Sequence, residues 1–242
     1  GWIKALMTPA VEGAFGIDGG WVLVYTAGLM MVLRFLIAPI VAVLAPLGVL
    51  LMSSLCAAAG IYGLSLSSGV ALIIAAATVY GVGQAFFWPT TLGVVAERFP
   101  RGGALTLNGI AAVGMLGVGI IGGPALGNLQ DQQIDRQLSA DAALYAAVME
   151  AEPETSVFGT YRKLSAEALE GLGEAERAAV EVEVDAAKAG ALRWAAVPPL
   201  GLAVGYAALM LYYRVRGGYR PVELEEAPPE TPEPAGHRPG VK

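Results

Sequence analysis

The chain has 242 residues and a formal net charge of −6; 55% of its residues are hydrophobic and only 15% are charged. Soluble domains carry about 25% charged residues, so this composition excludes an ordinary soluble enzyme. The absence of a basic cluster interleaved with aromatics excludes a nucleic-acid binder. Mean hydropathy is +0.58. The charge is also uneven: long stretches have none, while Leu129–Lys188 and the C-terminal end hold most of it. That distribution predicts a membrane protein with water-exposed inserts.

The chain opens on "GWIKALMTPA", which reads as mid-protein sequence and lacks the n-region and cleavage site of a signal peptide. It is expected to be a C-terminal piece of something longer, with residues 1–20 forming the outer end of a preceding helix and an extracytoplasmic loop. Apolar runs long enough to cross a bilayer, about 20 residues, follow in order. They are Trp21–Val43 (with Arg34), Leu47–Leu66, Val70–Ala96, Ala104–Leu126 and, after a long polar segment, Leu192–Tyr213 (with Arg193 at its start). The predicted fold is an all-α, polytopic transmembrane bundle of about five spans. Four helices occupy 21–128 and a polar, partly helical extracytoplasmic insert occupies 129–190. The last span covers 191–216, and a disordered Pro/Glu-rich cytoplasmic tail covers 217–242.

The connections "APLG", "SLSSG" and "RFPRGG" are short, so consecutive spans run antiparallel. Arg98 and Arg101 lie in the third-to-fourth loop, and Arg214, Arg216 and Arg220 follow the last span. Alternation puts both groups on one side, and the positive-inside rule makes that side cytoplasmic. Trp21, Tyr25, Tyr212 and Tyr213 fall near span ends, as an interfacial belt does. Within the insert, "EAEPETSVFGTY" reads as loop and the Ala/Glu-rich stretch after it as one or two amphipathic helices leading into the last span. The insert is either a cap over an outer vestibule or a solvated link between two spans.

Tyr80, Gln84 and Trp88 recur at i, i+4, i+8, which places them on one helix face. An unpaired amide in lipid costs several kcal/mol, of order 2–7, so this face should meet protein or a water-filled cavity. A ring beside an amide suits a sugar-like solute; alternatively Gln84 joins two helices and Trp88 packs. Asn108 in the fourth span raises the same question. Pro89 predicts a bend. Gly81, Gly83 and the run Gly114–Gly123 predict close helix contacts, and Pro124 and Pro198-Pro199 predict broken or bent helices. Arg34 is costly inside a bilayer; it either snorkels to the interface or pairs with Glu97. Glu97 can also pair with Arg98, or with Arg101 at i+4. With one cysteine, Cys56, and one histidine, His237, the chain offers no disulfide and no metal set. No GxxxxGK[ST] or HExxH motif occurs. No cofactor is expected, and no span interior holds a His, Asp or Glu for acid–base chemistry, so the chain is not expected to be an enzyme.

The stretch "FFWPTTLGVVAERFPRGGALTLNGIAAVGMLGVGIIGGPALG" resembles the tenth and eleventh helices of major facilitator superfamily transporters, with a Glu/Arg turn followed by a Gly-rich helix. "RFLIAPIVAVLAPLGVLL" falls where that family repeats its loop motif. Here Ala38-Pro39 stands near the expected Gly, Ala42-Val43 replaces the acid–base pair, and Gly48 remains. The Trp88 and Glu97-Arg98 positions bring sugar transporters and sugar–proton symporters to mind. The resemblance implies most of the second six-helix bundle of a secondary transporter, partnered by a missing N-terminal six-helix half. It implies a multi-pass protein of a bacterial inner membrane. Such a protein would move a small polar solute, a sugar or related metabolite, by alternating access, with a coupling proton as a further partner. Tyr80, Gln84, Trp88 and Asn108 would line the cavity, and Arg34, Glu97, Arg98 and Arg101 would form a cytoplasmic gate. The alternative is a non-transporting sensor or scaffold that works through its acidic insert.

Overall fold

The computed structural model describes residues 20–66, 69–156 and 158–222. The expectations for residues 1–19, for part of the "SLSSG" loop, for the tail beyond Val222 and for His237 lie outside the described residues. Within these residues the fold is helical apart from one short hairpin, an isolated β-bridge and the connecting turns. Four of its helical stretches are long and apolar enough to cross a membrane: Ile37–Ser65, Val70–Arg98, Pro100–Leu138 and Glu174–Val215.

The first expected span is built in two pieces. Helix α1 runs Gly20–Phe35 and stops at Leu36 (φ −95°, ψ 5°). Pro39 explains the stop: its ring clashes with the carbonyl four residues back, at Phe35. Helix α2 (Ile37–Ser65) then contains the "APLG" turn within itself, compressed to one non-helical residue, Ala45 (φ 56°, ψ 159°), just before Pro46. A residue preceding proline is disfavoured in the α region, so the chain leaves the helix there and returns antiparallel.

Helix α3 (Val70–Arg98) is the centre of the bundle and runs through Pro89 without a non-helical residue. Its small residues let neighbours come close. A Cβ added at Gly83 would lie 2.6 Å from Ala57 N and Ser53 O of α2, and one at Gly60 of α2 would run into the Tyr80 backbone. Gly81 does the same for α1, facing Leu29 and Thr26, while Tyr25 Oη and Thr78 Oγ1 lie 2.9 Å apart. Val49, Ala85 and Phe86 form the buried core of this crossing, joined by Met30, Leu33 and Val41. The close contact expected of Gly81 and Gly83 is therefore present.

Pro100–Gly102 forms one 3-10 turn, and Gly103 (φ 46°) lets the chain reverse into helix α4 (Gly103–Leu116). A π-helical segment, Gly117–Gly122, joins α4 to helix α5 (Gly123–Leu138), so the fourth span continues into the insert. Pro124 accounts for the irregularity, because it removes the N–H that would bond Ile120. None of α4 is buried. Gly114 meets the Trp88 ring, but Gly109, Gly117 and Gly119 face open space, so most of the expected glycine contact is not made within the described residues. Gly117–Gly122 also spells G-x-G-x-x-G. It lies inside an apolar helix rather than at a strand-to-helix turn, and carries no dinucleotide reading.

The insert is a folded unit. Helix α6 (Ala142–Val148) is capped by Asp141, which accepts from Ala143 N and Leu144 N. Strands β1 (Glu154–Ser156) and β2 (Gly159–Tyr161) pair antiparallel where a loop was expected. Helices α7 (Ala166–Glu170) and α8 (Glu174–Ala195) follow. Ile134, Leu138, Val148, Met149, Val180 and Ala187 form its core. Asn128 donates to Ser156 Oγ (2.8 Å) and Gln132 to the Phe158 carbonyl (3.0 Å), tying the hairpin to α5. The insert, read from the sequence as either a cap or a solvated link, thus has a hydrophobic core of its own. Helix α9 (Val197–Val215) continues α8 after a break at Ala196, set by Pro198-Pro199. It packs on α2, with Met210 beside Gly48, and reaches α3 through a T-shaped Phe87–Tyr206 contact at 6.1 Å.

Candidate functional site

Two groups of polar residues stand out on the apolar helices. The first is on α3. Gln84 Nε2 donates to Tyr80 Oη at 2.8 Å, so the i,i+4 relation of the sequence is a hydrogen bond in the structure. Trp88, one further turn along, is 40% exposed and touches α4 at Gly114. Gln84 is exposed, and its amide oxygen accepts from no donor among the described residues. These three side chains share one face. Asn108 is exposed on α4 but does not join them. It lies six residues before Gly114, an axial offset of about 9 Å at 1.5 Å per residue.

The second group is at the basic end of the bundle. Gly217 and Gly218 (φ 95° and 98°) end α9 and turn the chain back, so that residues 216–222 lie across the end of α3. Tyr219 Oη donates to Glu97 Oε2 at 2.7 Å, and Val222 N donates to the Glu97 carbonyl at 2.8 Å. Arg98 Nη1 donates to the Arg220 carbonyl at 2.9 Å, and its guanidinium lies 5.0 Å from the Tyr213 ring. Burial first, and then the Glu97 carboxylate, raise the Tyr219 phenol well above the ordinary tyrosine range. The structure thereby joins the two basic loops that the topology argument placed on one side.

The four expected gate residues are not one cluster. Arg34 is exposed and makes no ion pair among the described residues, so the expected pairing with Glu97 is absent. Glu97 does not pair with Arg98 or Arg101 either: the helix ends at Arg98 before Pro100, which breaks the i+4 register, and Tyr219 takes the carboxylate. Glu97 and Thr90 also line a cavity of about 240 Å³ shared with Ile37, Val41, Pro46 and Pro89. Thr90 Oγ1 is buried there without a hydrogen-bond partner, as is Ser53 Oγ at the α2–α3 crossing. Sequence reasoning missed Tyr219, the role of Tyr213 beyond the interfacial belt, and Thr90. The first two lie more than a hundred residues from Glu97 and Arg98, and no local periodicity connects them.

Among the described residues no group of three or more His, Cys, Asp or Glu side chains could hold a metal ion. These long apolar helices, with basic residues gathered at one end, define a multi-span α-helical membrane protein. No protein-family model matches the chain, and neither does any curated protein or solved structure.

Proposed function

We propose that the protein is a secondary transporter that moves a small polar solute, with a sugar or related metabolite as the favoured class, by alternating access. The observation that carries this reading is the Tyr80–Gln84–Trp88 face: a hydrogen-bonded phenol and amide, with acceptor capacity to spare, beside an exposed indole on a largely apolar helix. The ring covers a C–H face and the amide bonds hydroxyls. Supporting it are helices interrupted at Leu36 and Ala45 and a π-helical segment at Gly117–Gly122, a feature of transporters that rock between states. The likeness of Phe86–Gly127 to major facilitator helices points the same way. Glu97 and Arg98, held by residues 216–222, would close the cytoplasmic side, and a second bundle and a coupling proton would complete the device.

The second reading is a sensor or scaffold that works through its insert, favoured by the insert's separate hydrophobic core. Uptake of a sugar panel into vesicles holding the protein tests both. The transporter reading expects solute uptake that falls at least tenfold in Gln84→Ala and Trp88→Ala. Uptake unchanged in both variants removes the site, and no uptake of any solute favours the sensor.

A further inference from the structure

At the basic end, the packing of α9 on α2 is incomplete. The small residues Ala45, Gly48 and Ala207 leave a cavity of about 430 Å³ between them, within the roughly 300–1,000 Å³ of small-molecule sites. Its walls are mostly apolar, formed by Leu47, Leu51, Met210 and Leu211, and its mouth carries Arg214 with Tyr213 and Tyr219. Arg214 is exposed and has no acidic partner among the described residues. Arg98, Arg101, Arg216 and Arg220 lie at the same end. The described acid there, Glu97, already accepts from Tyr219. The result is an apolar slot that ends in an uncompensated cation where the last span leaves the membrane.

We propose that this slot binds an anionic phospholipid, with an acyl chain along Leu47, Leu51, Met210 and Leu211 and the phosphate at Arg214. Charge complementarity selects the headgroup: each juxtamembrane arginine favours an anionic lipid by roughly fivefold. The apolar walls select a chain, because a soluble phosphate has no use for them. The proposal rests on membrane insertion and not on transport, so failed solute uptake leaves it standing.

Native mass spectrometry of the detergent-solubilised full chain, titrated with phosphatidylglycerol or phosphatidylcholine, tests it. The expected result is a five- to tenfold preference for phosphatidylglycerol. Arg214→Gln removes about fivefold of that preference. Gly48→Leu lowers retention of both lipids by filling the slot; a Cβ at Gly48 has room, its nearest neighbours being Leu44 Cβ at 3.5 Å and Met210 Cε at 4.0 Å. Equal retention of the two lipids overturns the proposal, as does retention unchanged in both variants. Displacement of phosphatidylglycerol by an equal concentration of glycerol phosphate also overturns it, by reducing the site to its arginines. A preference seen only after deletion of residues 223–242 would assign the arginines to that acidic segment instead.

Discussion

Ala45 is the described non-glycine residue with positive φ, and its ψ of 159° places it in a region that glycine alone adopts freely. Ala45→Gly is therefore expected to stabilise the fold by about 1 kcal/mol, raising the unfolding midpoint in detergent by roughly 2–4 °C; an unchanged or lower midpoint counts against a strained turn. The glycines of α3 behave in the opposite sense. Gly83 faces the backbone of α2, which cannot move aside, so Gly83→Ala is expected to cost about 1–3 kcal/mol. Gly81 faces the end of the Leu29 side chain at 3.3 Å, which can rotate. Gly81→Ala should cost clearly less, and the same thermal melts rank the two.

Among the elements, the segment after α9 holds to α3 through the Tyr219–Glu97 bond and the Arg98 contacts. Tyr219→Phe removes a phenol–carboxylate bond worth about 1 kcal/mol after solvent screening. Tryptic cleavage at Arg216 should then accelerate roughly fivefold, and equal rates would show that the bond does not hold the segment. The β1–β2 hairpin carries its own pH signature. Hydrogen bonding from Lys163 lowers the Glu154 carboxyl below its ordinary value, and the same bond raises the Lys163 ammonium. The carboxylate contribution is present above about pH 4.3 and fades as pH falls through the lowered value; the ammonium contribution is present below about pH 10.4 and fades above the raised one. The effect of Glu154→Gln on hairpin stability, followed by hydrogen exchange at matched intrinsic rates, should hold across neutral pH and shrink in acid. The spans were legible because twenty apolar residues signal themselves. The turn at Ala45 was legible as the "APLG" connection, but its compression to a single positive-φ alanine was not, because alanine is no turn former. The insert's core was hidden because Ile134, Leu138, Val148 and Val180 are scattered among polar residues and meet only after α5 and α8 pair. Likewise, the Tyr80–Gln84 bond follows from helical spacing, whereas Glu97–Tyr219 joins residues 122 apart.

At the scale of the whole molecule, the five arginines and the insert lie at opposite ends of the same bundle. Cys56 is the single native cysteine, so a Cys56→Ser background allows sidedness to be read directly. Thr155→Cys should react with a membrane-impermeant maleimide from outside intact cells, and Gly217→Cys only after the membrane is opened; labelling of both from one side would overturn the topology. One further consequence follows from the way α4 runs through the π segment into α5, and α8 through Ala196 into α9. In the insert α5 and α8 are clasped together, with Gln137 donating to Glu183 at 3.0 Å. In the apolar half, their continuations are separate legs. The arrangement is that of tongs, with a break in regular α-helix in each leg, at the π-helical Gly117–Gly122 and at Ala196. An antibody fragment bound to the clasp is expected to hold the two legs at a fixed spacing, so the insert offers a handle on the apolar half of the molecule.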